Sequence, residues 1–370
     1  MKETKEIIVE KACLVGLAWG AVRKEAVEAS LIELAELTIS AGGTVLDRVV
    51  QARNPDSKFY IGKGMVERLK EQFAGNGVNL VIFDDPLSPA QQRNLEEALE
   101  VKVIDRSILI LDIFALHART APAKLQVELA QLEYIMPRLT RAWSHFSRQY
   151  GGVGIGSKGP GETQLEIDRR RVRERIARLK MDLEKLGRQR ATQRKGRQDL
   201  FKVSLVGYTN AGKSTLFNRL TRSEVTTANA LFTTLDSTTR MMSSGFPGKI
   251  LFTDTVGFIN KLPHQLFASF KSTLEEVGFA DLLLHIVDYS DPGHEEKITQ
   301  TNRVLADIGA EKIETLLIYN KIDRLSEILP GERQNRTAFY LSALEDIGLD
   351  SLKECLADHL QIFSQKHLKF

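Results

Sequence analysis

The octapeptide Gly207-Tyr208-Thr209-Asn210-Ala211-Gly212-Lys213-Ser214 stands behind the apolar run Phe201-Lys202-Val203-Ser204-Leu205-Val206 and ahead of a helix-like stretch that opens with Thr215. Strand, glycine-rich turn and helix in that order form the context of a phosphate-binding P-loop. The glycines let backbone N–H groups converge on phosphate oxygens. Lys213 is placed to reach the β- and γ-phosphates, and the Ser214 hydroxyl to ligate Mg2+. A nucleoside triphosphate is the expected ligand.

Which base it carries is read downstream, at Asn320-Lys321-Ile322-Asp323, directly behind the apolar stretch 313–319. The Asp323 carboxylate can accept two hydrogen bonds from guanine N1–H and the 2-amino group, and adenine has no such pair of donors on that edge. Between the two motifs lies Asp254-Thr255-Val256-Gly257, after the strand-like 249–253. Asp254 is expected to hold Mg2+ through water, and the Gly257 N–H to touch the γ-phosphate. Ser342-Ala343-Leu344, behind 339–341, fits the last base-contacting loop. In Phe232-Thr233-Thr234-Leu235-Asp236, Thr234 is the expected switch threonine, closing on Mg2+ and the γ-phosphate, with Thr233 as the second candidate. Lys213, Thr234 and Gly257 are thus the candidate catalytic groups, and Ser214, Thr234 and Asp254 the candidate metal groups. Order, spacing and strand context agree, so residues 201–367 read as a GTPase domain.

One position departs from the usual pattern. Phe258 follows Gly257 where many GTPases place a glutamine that orients the attacking water. A phenyl ring cannot hydrogen-bond water, while phosphoryl transfer still needs in-line water and charge stabilisation. Slow intrinsic hydrolysis is expected, accelerating when a partner orders the switches.

With 370 residues, 42% apolar and 27% charged, the chain can bury at least two cores. Its two cysteines, Cys13 and Cys355, fall in different expected domains, which argues against a disulfide framework and for a reducing cytoplasm. The most apolar windows, 108–116 and 282–287, are too short to span a bilayer, and the N-terminus lacks the pattern of a signal peptide. His117, His145, His264 and His285 lack ligand spacing, so no transition-metal site is expected.

The net charge of +3 conceals a segregation. Residues 138–197 carry 17 Lys/Arg against 6 Asp/Glu, a local +11, which leaves 3 − 11 = −8 elsewhere. Such a stripe is the footprint of a nucleic-acid binder, although a charge run is also often a solvated helix face. Leu125, Leu129, Leu132, Met136 and Leu139 follow helical spacing, and Val172, Ile176, Leu179, Leu183 and Leu186 repeat it. Two helices with one seam each should pack as an antiparallel hairpin. The first opens near Pro122 and the second at a Thr163-Gln164-Leu165-Glu166 capping box. Residues 123–150 would reach about 40 Å, with Pro137 an interruption. The tip, Gly151-Gly152-Val153-Gly154-Ile155-Gly156-Ser157-Lys158-Gly159-Pro160-Gly161, is uncharged apart from Lys158 and sterically thin, suited to approaching folded RNA.

The first 120 residues alternate apolar runs (12–17, 44–50, 80–83, 101–104) with helical patterns (24–40, 64–73, 89–99, 107–116). This predicts a small parallel sheet flanked by helices. Tyr60-Ile61-Gly62-Lys63-Gly64 reads as a strand-to-helix turn rather than a phosphate loop. The expected architecture is α/β throughout: an N-terminal parallel α/β domain over 1–120, a basic helical hairpin over 121–199 with its tip at 151–161, and a GTPase domain with a mostly parallel sheet over 200–370.

Residues 151–154 and Gly159-Pro160-Gly161-Glu162-Thr163-Gln164-Leu165-Glu166-Ile167-Asp168-Arg169-Arg170 resemble the signature of the HflX family of ribosome-associated GTPases. Lys124-Leu125-Gln126-Val127-Glu128-Leu129-Ala130-Gln131-Leu132 and the turn at 61–64 are similar to that family's N-terminal region, and the nucleotide elements to its G domain. The resemblance implies a cytoplasmic, monomeric GTPase that uses Mg2+ with GTP and GDP. It also implies binding to the large ribosomal subunit and its ribosomal RNA, and splitting of stalled or stressed ribosomes. The alternative is a GTP-regulated RNA-binding or RNA-remodelling protein. Arg148, Gly151, Gly152, Gly154, Lys158, Gly159, Arg169, Arg170 and Arg173 are the RNA-facing candidates. ATP and RNA remodelling are linked to the family's N-terminal domain, but no motif for them is evident in this sequence. After Ser342 only 370 − 342 = 28 residues follow, enough for a final helix near 349–363 but not for the extra C-terminal domain some members carry.

Overall fold

A computed structural model of the chain describes residues 10–139, 164–195, 200–221, 238–242, 246, 248–261, 263, 276–325 and 338–367. Two compact units divide it: Met1–Ala115, Lys124–Gly187 and Pro263–Ser269 in the first, Leu116–Ala123, Arg188–Leu262 and Phe270–Phe370 in the second.

The first unit alternates β1 (Lys11–Ala18), α1 (Lys24–Ser40), β2 (Thr44–Ala52), α2 (Lys63–Asn76), β3 (Leu80–Phe83), α3 (Pro89–Leu99), β4 (Lys102–Asp105) and α4 (Arg106–His117). Its sheet has order β2-β1-β3-β4, parallel throughout, as the β/α alternation predicts. After Lys11, every residue of β1 is buried, which is why the strand reads as a continuous apolar run instead of an alternating one. Chemistry at the termini sets the helix ends. Ser88 and Gln91 form a reciprocal capping box with Pro89 in the first turn of α3. Gly62 opens α2, donating to Gln51 Oε1 at 2.9 Å, and a Cβ there would fall 2.1 Å from Arg53 Nη1. The 60–64 motif is thus a turn into α2 in which a side chain at Gly62 would displace the Arg53 guanidinium.

The helical pair follows as α5 (Ala121–Ile135) and α6 (Gln164–Lys195). Leu129, Ile176 and Leu179 are buried together, with Leu125, Leu132, Met136, Val172 and Leu183 packed against them, so the two expected seams do meet. Arg175 pairs with Glu128 (2.6 Å) and Lys180 with Glu133 (2.8 Å) across the seam. Arg169, near the start of α6, donates to Leu139 O just beyond the end of α5 at 2.8 Å, as an antiparallel hairpin requires. The first helix is interrupted at Pro137, as expected. It stops at Ile135 and tightens into a 3-10 turn, Met136–Arg138, because Pro137 lacks an N–H and its ring clashes with the preceding turn. The 15 residues of α5 reach about 22 Å, and residues 140–150 of the expected arm lie outside the described residues. Thr163, Arg148 and the tip 151–161 lie outside the described residues.

Just beyond the C-terminal end of α5, Arg138 is a junction. It donates to Leu87 O (2.7 Å), Tyr134 O (3.0 Å) and Gln92 Oε1 (3.3 Å), and stands 3.6 Å from Asp105 at the end of β4. Its guanidinium lies 3.5 Å from the centroid of the Tyr134 ring, whose hydroxyl donates to the same Asp105 at 2.6 Å.

The second unit contains β5 (Phe201–Gly207), α7 (Lys213–Thr221), β6 (Thr238–Met242), β7 (Ile250–Asp254), β8 (Leu282–Asp288), α8 (His294–Asp307), β9 (Thr315–Asn320), β10 (Ala338–Tyr340) and α9 (Leu349–His367). The strand order is β10-β9-β8-β5-β7-β6, all parallel except β6, which runs antiparallel to β7 at one edge. Leu205, Phe217, Phe252, Leu284, Ile318, Leu352 and Leu356 belong to one core on the face that also carries α7 and α9. No described helix is long and apolar enough to cross a membrane.

Candidate nucleotide site

Because β5 lies between β8 and β7, the loops leaving the carboxyl ends of these strands converge, the place where open α/β sheets bind ligands. Gly207 closes β5 at φ +144°, and a Cβ there would meet Ile286 O at 2.2 Å, so only glycine lets β5 sit against β8. Gly212 (φ +94°) leaves room in the same way for the Asn320 amide. Lys213 begins α7, buried, with Nζ donating to Tyr208 O at 2.7 Å. Its pKa is lowered to about 8, chiefly by burial, with the charge of Asp254 opposing and that of Lys321 adding to the effect. A bound phosphate would supply negative charge that favours the protonated form against burial.

Beside it, Ser214 Oγ donates to Asp254 Oδ2 at 2.7 Å, and Asp254 is fully buried. A hydroxyl and a carboxylate this close form a hard oxygen donor set, the chemistry that suits Mg2+. Thr255 takes a different role, donating to Leu205 O at 2.6 Å and binding the end of β7 to β5. Val256 is buried, and a Cβ on Gly257 would fall 2.8 Å from Thr209 Cγ2 and 2.9 Å from Lys213 Nζ. Phe258 is buried too. Its N–H donates to Gly207 O (3.1 Å) and its carbonyl accepts from Thr209 N–H (2.8 Å), so this segment is zipped to the P-loop. One further bond extends the zipper, from Asn260 N–H to the Tyr208 hydroxyl at 2.5 Å. Lys297, ion-paired with Asp291, sits 4.8 Å from the Tyr208 ring centroid.

At the base end, the Asn320 amide spans two loops, donating to Ala211 O at 2.8 Å and accepting from Ala343 N–H at 3.0 Å. Lys321 adopts φ +68° and pairs with Asp288 at 2.6 Å. Asp323 lies in the 3-10 turn Ile322–Arg324, and its buried Oδ1 has no hydrogen-bond partner among the described residues. A buried carboxylate oxygen left in that state is a position awaiting a donor. Ser342 Oγ accepts from Glu345 N–H at 3.1 Å, and Leu344 is exposed.

The fold therefore gathers residues 207–215, 254–257, 320–323 and 342–344 about one crevice. Phe232, Thr233 and Thr234 lie outside the described residues, as do Arg148, Gly151, Gly152, Gly154, Lys158 and Gly159. Arg170 and Arg173 are exposed on α6, whereas Arg169 is engaged at Leu139. Sequence reasoning missed the Asn260 N–H and the side chains of Lys297 and Arg219, and assigned Tyr208 to the loop without a task for its hydroxyl.

Residues 202–321 match the family model described as "50S ribosome-binding GTPase", 28–115 that of "GTP-binding GTPase N-terminal", and 117–197 that of "GTP-binding GTPase Middle Region". GTPase HflX of Escherichia coli is 47% identical over 337 residues, covering 89% of this chain and 79% of the relative. GTPase HflX of Magnetococcus marinus is 47% identical over 348 residues, covering 93% and 80%. The chain belongs to the HflX family of GTPases. A crystal structure of SsGBP with GDP shares the fold, at TM-score 0.53 and 24% identity over 96% of this chain and 100% of that one. This HflX-family chain is a GTPase.

Proposed function

We propose that this HflX-family GTPase acts on the large ribosomal subunit, separating stalled or stressed ribosomes into subunits in the cytoplasm, as a monomer. The observation carrying this reading is the match of residues 202–321 to a model described as a 50S ribosome-binding GTPase. The exposed arginines of α6 support contact with ribosomal RNA.

Within the site, Lys213 and the P-loop N–H groups bind the phosphates and Asp323 reads guanine. Ser214 and Asp254, with Thr234 from the segment before β6, would hold Mg2+, which supplies charge neutralisation at the β- and γ-phosphates. Water attacks the γ-phosphorus, the bond to the β–γ bridging oxygen breaks, and GDP and phosphate leave. Phe258, buried and backbone-paired to the P-loop, offers that water no hydrogen bond, so turnover waits on a ribosome to complete the site. GTP binding favours the docked state and hydrolysis ends it.

Sucrose-gradient profiles of intact ribosomes incubated with the protein and a non-hydrolysable GTP analogue test the reading. Separated subunits are expected. Intact ribosomes with retained RNA binding would favour the RNA-remodelling alternative.

A further inference from the structure

Arg219 lies on α7, 219 − 213 = 6 residues beyond Lys213. Its guanidinium grips two successive carbonyls on another loop: Nε donates to Ala343 O at 3.1 Å and Nη2 to Leu344 O at 2.6 Å. The strap 342–347 is anchored at its start, where Ser342 and Ala343 are buried and Glu345 N–H donates to Ser342 Oγ at 3.1 Å. Ala343 N–H reaches Asn320 Oδ1 at 3.0 Å, and Ser342 and Ile347 exchange two backbone bonds of 3.0 and 3.1 Å. Residues 344–347 are exposed, so little apolar burial fixes them. Asn320 thus restrains the strap from the nucleotide side, and Arg219 fastens it to the helix that begins with Lys213 and Ser214.

We infer that Arg219 is a positioning residue for guanine-nucleotide retention: by clamping the 343–344 backbone to α7 it sets how fast GDP and GTP leave. The inference rests on the reading of Asp323 and residues 342–344 as the guanine pocket. It goes beyond that reading by assigning the control of release to a side chain that touches no nucleotide. The fork matters because a planar guanidinium can serve two carbonyls at once, which an ammonium on a flexible stem cannot do with the same order.

Stopped-flow release of a fluorescent GDP analogue from the full chain tests it. Arg219→Ala is expected to release the analogue about tenfold faster, equivalent to about 1.4 kcal/mol of affinity, with the association rate constant within about twofold of the parent. Arg219→Lys, which keeps charge and bulk, should fall between the two and serves if the alanine variant does not fold. A role confined to stability would lower the melting temperature and leave the release rate alone. Asp323→Asn is the companion measurement. If guanine preference is lost there while release from both Arg219 variants stays within about twofold of the parent, the Arg219 assignment is overturned and the pocket stands. If guanine preference survives in Asp323→Asn, the pocket reading fails and the inference with it.

Discussion

The Asn260 N–H donates to the phenol oxygen of Tyr208 across 2.5 Å, joining the second residue of the P-loop to the segment that follows Gly257. Two backbone bonds at Phe258 precede this one, so the hydroxyl is the outermost closure of a short zipper. Tyr208→Phe removes that closure and leaves the ring under Lys297. The expected result is about a fivefold lower kcat for GTP with KM within about twofold, because Gly257 loses its fixed position while the phosphate-binding backbone is untouched. Amide hydrogen exchange at residue 260 should accelerate in parallel. An unchanged kcat with faster exchange would show that the zipper does not serve the chemistry.

Asp323 Oδ1 is buried with no partner among the described residues. Replacing the carboxylate by an amide in Asp323→Asn should weaken GTP binding about 100-fold, since a buried donor of the base then meets a donor of the protein. A xanthine nucleotide, whose 2-position carries a carbonyl, should be bound in preference. Calorimetric titration with both nucleotides decides it, and retained guanine preference would refute the base-site assignment.

Lys213 is held at a pKa of about 8 against 10.5 for a free lysine, first through burial. Between these values the unfolded chain binds more protons than the fold, so ligand-free stability rises with pH over that window, and the cost is fully present below pH 8. Lys213→Met should therefore abolish triphosphate binding yet raise the ligand-free melting temperature at pH 7 by about 3 °C. Scanning calorimetry at pH 7 and pH 10 provides the check, and the gap between variant and parent should narrow at the higher pH.

His285, buried in β8, has its pKa lowered from 6.5 to about 4 by burial and by the charge of Lys213. The sign is that of a group buried neutral. Its contribution is intact above pH 6.5 and is lost as pH falls toward 4, by up to about 3 kcal/mol. His285→Leu should flatten the fall in melting temperature over that range. A variant with the same acid sensitivity as the parent would place the origin elsewhere.

Much of this could be read in the sequence for a definite reason. Strands such as β1 and β3 are buried on both faces, so they appear as unbroken apolar runs, and α3 announces itself through Ser88, Pro89 and Gln91. The nucleotide motifs were legible because each is a local string, and at Gly207, Gly212 and Gly257 a glycine answers a close approach. The half-exposed edge strand β6 was not, having no clear alternation over its five residues. Pro137 was noticed, but its power to end α5 outweighed a seam that continues on both sides of it. Arg219 with Ala343 and Tyr208 with Asn260 were invisible, since their partners stand 124 and 52 residues away and no periodicity links them.

The junction at Arg138 has a mechanical consequence. By joining the end of α5 to Leu87, Gln92 and Asp105, it ties that end of the hairpin to the carboxyl edge of the N-terminal sheet. To swing this end of α5 away from the sheet, three contacts made by one side chain would have to break together.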